Sequence, residues 1–192
     1  MEVLFSKKMD DAPFKKNARY ADLYKIPDSH VGEIIDGDLY ASPRPRPLHG
    51  RAIPRLHKQI DRPDDDDDPD GWIILVEPEV RFGKHLLVPD VAGWRRARLR
   101  EIPDVVTIKI TPDWVCEGLS PSTARLDKGR KREIYAKHGV DHLWYLDPER
   151  KMLDIFELDG KSYRLAKTAG NDARASFAPF THKIDLAPLW RR

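Results

Sequence analysis

The sequence predicts a mixed α/β protein of the α+β kind, in which helices flank a mixed central sheet. Short apolar runs of strand length alternate with helical segments, so the order along the chain is helix, strands, helix, strands. The chain has 192 residues, which favours one domain with a sizeable core. No apolar run approaches the roughly 20 residues that a membrane-spanning helix needs.

The start of the chain and its cysteine content predict a cytoplasmic protein. The N-terminus MEVLFSKKMDDAPFKK has only a three-residue apolar start, which is too short for the apolar region of a signal peptide. Cys116 is the only cysteine, which excludes an intrachain disulfide and a thiolate zinc cluster.

Charge is distributed in blocks, although the net charge is only +2. Residues 41–58 contain five basic residues and no acid, residues 61–80 nine acids and one arginine, and residues 91–140 eleven basic residues and six acids. Such basic segments suit a polyanion, whose phosphates we expect to contact residues 41–58 and 95–100. The alternative is an ordinary solvated surface.

The first third of the chain predicts a tail followed by short elements. Residues 1–18 predict a charged, flexible tail, and residues 19–192 a single domain. The segment YADLYKIPD predicts a short helix. The segment EIIDGDLYAS, residues 33–42, predicts a hairpin that turns at Asp36-Gly37, or a bent edge strand.

Residues 48–61, LHGRAIPRLHKQID, follow a stiff PRPRP linker and have apolar residues at helical spacing. Pro54 favours a kink or a later helix start. The next segment, DRPDDDDDPDG, lacks the spaced, glycine-turned ligands of a calcium loop, so it predicts a solvated acidic loop.

The second half of the chain predicts a helix among strands. Residues 121–139 form the helix, with serine and threonine near its start and His138-Gly139 at its end. The predicted strands are WIILVEPEVRF, with a bend at Pro78, LLVPDVAGW, WVCEGLS, HLWYLDP, KMLDIFEL and SYRLAKTA. The tryptophans at positions 72, 94, 114 and 144 are predicted to lie in the core.

Two of these strands carry one carboxylate each, Asp90 and Glu117, in the middle of an apolar run. Alternate residues of a strand face the same way, so both side chains can project from one sheet face. A buried carboxylate is costly unless it meets a cation, a donor or water. Two converging carboxylates suit Mg²⁺, which leaves its other positions to water and phosphate oxygens. Asp90 and Glu117 are therefore candidate metal ligands.

The helix over residues 121–139 supplies a lysine on its buried face. Residues three and four apart share one face, and the resulting stripe contains Asp127, Lys131, Ile134, Tyr135 and His138. Because the apolar members should pack on the sheet, Lys131 points inward as well. There it either orients the attacking water and offsets transition-state charge, or forms a structural ion pair with Glu117 or Asp127.

The segments that carry these residues resemble a known family. They are similar to the Uma-two family of restriction-endonuclease-like proteins, within the PD-(D/E)XK nuclease superfamily. The matching stretches are YADLYKIPD, GEIIDGDLYASPRP, EPEVRFG, VPDVAGWRR and DWVCEGLSPSTARLDKGRKREIYAKHGVDHLWYLDP. The most specific part is E-x-L-S-P-S-T followed by D-x-x-x-K-x-x-x-Y, and the resemblance covers residues 18–190.

The resemblance implies a restriction-endonuclease-like core and Mg²⁺-dependent hydrolysis of phosphodiester bonds in DNA, with Mn²⁺ as a substitute. It maps the superfamily Pro-Asp onto Pro89-Asp90 and the second acid onto Glu117. The superfamily lysine is expected at position 119, where this chain has leucine, and the family moves its role to the following helix, here Lys131. Glu33 matches a glutamate before the first strand, which implies an outer-shell ligand or, alternatively, a surface or capping acid.

Cleavage of both strands of a duplex is most simply done by a symmetric pair of subunits, so a homodimer is the expected assembly. Two alternatives stay open. One is a non-catalytic nucleic-acid-binding or interaction protein on the same scaffold. The other is a nuclease that acts on RNA or on a mobile-element intermediate.

Other side chains offer weaker sites. The histidines lack the paired spacing of a zinc site, so core or surface roles are expected for them. Ser120 and Ser122 lack the G-x-S-x-G frame of a nucleophile elbow.

Overall fold

The computed structural model describes residues 13–44, 47–62, 68 and 70–191. The strands in these ranges are β1 (His30–Ile35), β2 (Asp38–Pro43), β3 (Trp72–Val76), β4 (Glu79–Phe82), β5 (His85–Leu87), β6 (Val91–Arg95), β7 (Thr107–Ile108), β8 (Trp114–Gly118), β9 (His142–Asp147), β10 (Met152–Asp159), β11 (Ser162–Gly170), β12 (Arg174–Ser176) and β13 (Lys183–Asp185). The helices are a 3-10 helix at Tyr20–Lys25, α1 (Pro47–Ile60), α2 (Ala124–Leu126), a π-helical turn at Asp127–Lys131, α3 (Arg132–Lys137) and a 3-10 helix at Ala187–Trp190.

The described strands form two large mixed sheets. The order is β2-β1-β5-β4-β7 in a five-stranded sheet and β11-β10-β9-β8-β6-β3 in a six-stranded one, while β12 pairs with β13. The pairs β4–β7 and β8–β9 are parallel, and the other pairs are antiparallel. The predicted mixed α+β class is therefore confirmed, with two sheets in place of one central sheet.

The chain passes between the two sheets at two proline corners. The run of residues 72–82 divides into β3 and β4, and the run of residues 86–94 into β5 and β6, with one strand of each pair in each sheet. The corners contain Pro78 and Pro89, whose nitrogens cannot donate to a strand ladder. A hydrogen bond of 3.0 Å from the Glu77 N–H to the Asp90 carbonyl joins them. Asp90 thus lies at the junction of the sheets.

The predicted hairpin over residues 33–42 is confirmed. β1 and β2 pair antiparallel, with Glu33 opposite Tyr40. Asp36 and Gly37 form the two-residue turn with φ of 55° and 86°. Two consecutive positive φ values are those of a type I′ turn, which matches the twist of the strands and favours Asp-Gly.

The start of the described chain is attached to this hairpin. Lys15 exchanges backbone hydrogen bonds of 3.2 and 2.7 Å with Leu39, and the Ala18 N–H donates to the Gly37 carbonyl at 2.7 Å. The tail predicted for residues 1–18 falls mostly on residues 1–12, which lie outside the described ranges. The single domain over residues 19–192 stays a prediction.

Helix α1 begins at Pro47 and continues through Pro54, so the later start is wrong. Proline suits the first helical position because its missing N–H would be unpaired there in any case. Ile53, Leu56 and Ile60 are buried against the six-stranded sheet, whereas Pro54 is exposed. No helix in the described ranges is long and apolar enough to cross a membrane.

The six-stranded sheet separates two apolar clusters. One contains Trp114 and Cys116 of β8 together with α1 and the C-terminal segment. The other contains Val115 and Leu119 together with Tyr135 and neighbours of α3. Strand alternation therefore directs Glu117 towards the side of α3. The four tryptophans predicted to be core are all buried.

Candidate functional site

A cavity of about 60 Å³ lies where β1, the corner between β5 and β6, the end of β8 and the π-helical turn meet. Its lining comprises Val31, Glu33, Ser42, Pro43, Glu77, Val88, Asp90, Glu117, Gly118, Ser120, Thr123, Leu126, Asp127 and Lys131. The structure thus brings together all four residues that the sequence analysis selected: Glu33, Asp90, Glu117 and Lys131.

Lys131 lies at the centre of an acidic cluster. Its side chain is only 3% exposed, and Nζ lies 2.8 Å from Glu117 Oε1, 3.0 Å from Glu33 Oε1 and 3.3 Å from Asp127 Oδ1. The prediction that Lys131 points inward is confirmed. Three carboxylates surround one ammonium group, so the cluster carries an excess of negative charge when all four groups are ionised.

Glu117 is buried near the end of β8 and has two donors. Tyr135 donates its phenol hydrogen to Glu117 Oε1, the same oxygen that contacts Lys131. Burial raises the pKa of Glu117 well above its usual range, against the effect of Lys131. Asp127, Asp90 and Glu33 raise the pKa further, because each is a nearby negative charge.

Asp90 is half-buried and continues the pairing of β6 with β8. Val91 pairs with Cys116, and this register, extended by one residue, sets Asp90 opposite Glu117. The Gly118 N–H donates to Asp90 Oδ2 at 2.7 Å, so the side chain replaces a strand partner beyond the end of β6. The two acidic residues predicted from separate strands therefore lie opposite each other, and both line the cavity.

Glu33 lies within β1 and not before it, and its side chain is buried. Glu33 Oε1 accepts a hydrogen bond of 2.9 Å from the Val88 N–H and also contacts Lys131. The alternative of a surface acid is wrong. Glu33 connects the hairpin to the corner that carries Asp90 and to the helix that carries Lys131.

The sequence pattern indicates no site role for Asp127 and does not predict the π-helical turn. Asp127 is buried, and burial raises its pKa to about 6 against the effect of Lys131. Its carbonyl accepts hydrogen bonds from the Arg132 N–H, five residues on, and from the Tyr145 hydroxyl at 2.9 Å. π-helical turns are frequent at functional sites. The D-x-x-x-K-x-x-x-Y spacing was the available signal for Asp127, but regular helical spacing does not predict a π turn.

Leu119 occupies the position at which the resemblance described above predicts a lysine. Its side chain is buried, and its N–H donates to the Leu146 carbonyl at 2.7 Å, which extends the pairing of β8 with β9. A cation reaches Glu117 from the π-helical turn instead.

Several basic side chains of the predicted phosphate-binding segments have structural partners. Arg55 donates to the carbonyls of Pro188 and Arg191 at 2.7 Å. Arg98 forms an ion pair of 2.6 Å with Asp113. Residues 95–100 also begin at the far end of β6, roughly 16 Å from Asp90 at strand spacing. Any phosphate contacts that they make are therefore distant from the cavity.

The residues present fit a magnesium ion. Asp90 and Glu117 offer two carboxylates to one cavity, and Mg²⁺ takes one or two carboxylates and keeps several waters. Within the described ranges, no group of three or more His, Cys, Asp or Glu side chains is placed to hold a metal ion.

Comparison with known proteins gives a family and a fold. The family model described as "Uma2: Putative restriction endonuclease" matches residues 18–187. The chain is similar to the crystal structure of "a putative nuclease belonging to DUF820" from Anabaena variabilis ATCC 29413, with a TM-score of 0.67 and 20% identity over 88% of this chain and 96% of that chain. No protein of curated function matches. Since the family model spans most of the chain, the protein belongs to the Uma2 family and has the fold of that nuclease-like structure.

Proposed function

We propose that the protein is a metal-dependent endonuclease that hydrolyses phosphodiester bonds in DNA. Asp90 and Glu117 hold Mg²⁺ or Mn²⁺, and Lys131 assists. The observation that carries the proposal is that these three residues, which come from three separate parts of the chain, line one cavity. The description of the family supports the class of reaction.

The bound metal would supply Lewis-acid polarisation of the scissile phosphate and a water of lowered pKa. Lys131 would place a fixed positive charge beside the phosphate oxygens, where negative charge develops during hydrolysis. Glu33 and Asp127 hold the Lys131 ammonium group in place through their ion pairs. Glu33 also holds the Val88 backbone, two residues before Asp90, so we assign it a positioning role.

The charge state of Lys131 limits what it can do. Burial alone would lower the pKa of Lys131, but the carboxylates of Glu117 and Glu33 raise it well above its usual range. The side chain is therefore an ammonium group at neutral pH. It can donate hydrogen bonds to water or phosphate and offset charge, but it cannot act as a general base.

A second candidate function is a non-catalytic nucleic-acid-binding protein on the same scaffold. The observation that favours it is the ion-pair cluster itself, since Lys131 already has three carboxylate partners without a metal. This second function predicts that the protein binds nucleic acid without cutting it, whether or not Mg²⁺ or Mn²⁺ is present.

Cleavage of supercoiled plasmid in the presence of Mn²⁺ tests the first candidate. The wild type should nick or linearise the plasmid, whereas Asp90→Asn, which keeps an acceptor for the Gly118 N–H but loses the charge, should not. Asp154→Asn is the matched control, because the Asp154 carboxylate lies on a different strand, β10, and accepts a hydrogen bond from the Thr168 hydroxyl on β11. Equal cleavage by wild type and Asp90→Asn would contradict the proposal. The same assay with RNA separates the two substrates.

Metal binding is tested without cleavage. Isothermal titration of Mg²⁺ or Mn²⁺ should show binding to the wild type and none to the variant with both Asp90→Ala and Glu117→Ala. Equal binding by the two proteins would remove the metal assignment.

We further propose that a homodimer cuts the duplex and that DNA phosphates contribute much of the affinity. DNA affinity should then fall steeply with salt, and neutralisation of Arg95 and Arg96 together should flatten the slope. Light scattering of the protein with a short duplex measures the stoichiometry. A salt slope near zero, or a single subunit on the cleaved duplex, would count against these two points.

A further inference from the structure

Tyr135 contacts the candidate metal site through its hydroxyl group, which is hydrogen-bonded to Glu117. The tyrosine is fully buried, and its ring packs edge-on against Phe82 with a centroid distance of 5.3 Å. The phenol hydrogen is donated to Glu117 Oε1. The remainder of the side chain therefore belongs to the core, whereas the hydroxyl belongs to the site.

Both donors to Glu117 reach the same oxygen. Tyr135 and Lys131 each contact Oε1, and they lie four residues apart, so that both arrive from one face of the helix that begins at the π-helical turn. A carboxylate held by two donors on one oxygen has little freedom to rotate. Its other oxygen, Oε2, is then the one available to a ligand in the cavity that Glu117 lines.

We propose that Tyr135 is a positioning residue that orients the Glu117 carboxylate so that Oε2 faces the metal position. This inference rests on the proposed metal-binding role of Glu117. Side chains that hold a ligating carboxylate in this way typically change metal affinity by about 10–100-fold when they are lost. A purely structural tyrosine would change stability and leave metal affinity unaltered.

The test compares Tyr135→Phe with Tyr163→Phe. Phenylalanine keeps the ring and its contact with Phe82, and it removes only the hydroxyl. Tyr163 is the matched control because it is also buried and donates a hydrogen bond of 2.6 Å, in this case to the Val140 carbonyl. Each variant loses one buried hydrogen bond, so we expect similar decreases in Tm. Titration with Mn²⁺ should show about 10–100-fold weaker binding for Tyr135→Phe and wild-type binding for Tyr163→Phe.

A crystal structure of metal-free Tyr135→Phe gives a readout that does not depend on metal binding. The Glu117 carboxylate should rotate or become disordered relative to its position in Tyr163→Phe. An unmoved carboxylate would overturn the positioning role, and so would Mn²⁺ affinity equal to that of Tyr163→Phe. If neither the wild type nor Tyr163→Phe binds Mn²⁺, the proposed function fails, and the position of Glu117 still decides whether Tyr135 orients it.

Discussion

Two buried carboxylates lie at the two ends of one short strand, β8, and differ in the balance of charge around them. Asp113, directly before the strand, pairs with Arg98 at 2.6 Å and accepts the Arg95 N–H at 2.9 Å. Glu117, near the end of the strand, shares Lys131 with Glu33 and Asp127. One acid therefore meets one base at the first end, whereas three acids surround one base at the second.

The difference distinguishes an ordinary structural ion pair from the candidate site. The Arg98 side chain is 45% exposed and keeps much of its hydration in the pair with Asp113, whereas the Lys131 side chain is only 3% exposed. Burying two acids more than the cluster can neutralise is unfavourable for folding. Strongly raised carboxyl pKa values, such as those of Glu117 and Asp127, are typical of functional sites. Four changes can break or sharpen this contrast, in order of decreasing expected effect.

The largest effect is expected from Lys131→Met, which keeps most of the stem and removes the charge. The chemical rate should fall by about 10²–10³, and the metal-free protein should lose about 3–5 kcal/mol because buried carboxylates are left unpaired. Mn²⁺ should restore more stability to this variant than to the wild type. Single-turnover cleavage at saturating Mn²⁺, metal titration and urea unfolding measure these quantities. Cleavage at the wild-type rate would make Lys131 a structural ion pair.

The second change is in pH. The pKa of Asp127 is raised to about 6 in the folded protein, so the folded state binds more protons than the unfolded state between the ordinary carboxyl range and that value. The contribution of Asp127 to the free energy of unfolding is therefore largest at low pH. As the pH rises towards 6, this contribution falls by roughly 2–3 kcal/mol. Glu117, also raised, extends the decline upwards.

Comparison with Asp127→Asn isolates the pH-dependent contribution of Asp127. The comparison is needed because ion-paired acids elsewhere in the protein make stability rise with pH. Asp22 is one of them, since the Arg19 N–H, Lys15 and Lys25 lower its pKa. The stability of the wild type relative to Asp127→Asn, measured by urea unfolding in EDTA, should fall between pH 4 and pH 6. A difference that stays constant or rises over this range would contradict the raised pKa.

A smaller effect is expected from Arg98→Met at the balanced end of β8. The exposed arginine contributes about 1 kcal/mol, and Asp113 keeps the Arg95 N–H as a partner. The loss should be the same with and without Mn²⁺, as measured by urea unfolding in both conditions. A loss that Mn²⁺ reverses would show that the two ends of the strand are coupled.

The smallest effect is expected from Lys128→Met. Lys128 belongs to the same π-helical turn as Lys131, but it is exposed, with Nζ at 5.9 Å from the centre of the Tyr145 ring. The rate in single-turnover cleavage should stay within about twofold of the wild type, and stability within about 0.5 kcal/mol. A rate loss comparable to that of Lys131→Met would transfer the assisting role to Lys128.

Local signals in the sequence were sufficient for elements that depend on neighbouring residues. The Asp36-Gly37 turn predicts its own hairpin because both residues accept positive φ. Alternation within β8 and the stripe on the following helix were sufficient to direct Glu117 and Lys131 towards each other, since both periodicities are properties of the backbone.

The tertiary structure decided what depends on residues far apart in the chain. The runs over residues 72–82 and 86–94 read as single strands, and only pairing with different partners divides each between two sheets. Glu33 accepts a hydrogen bond from the N–H of Val88, which lies 55 residues further along the chain, so no local pattern could reveal that Glu33 is buried. The π-helical turn is held by Tyr145 from the neighbouring strand. The charge imbalance around Lys131 likewise exists only after folding, because its carboxylates come from β1, β8 and the turn itself.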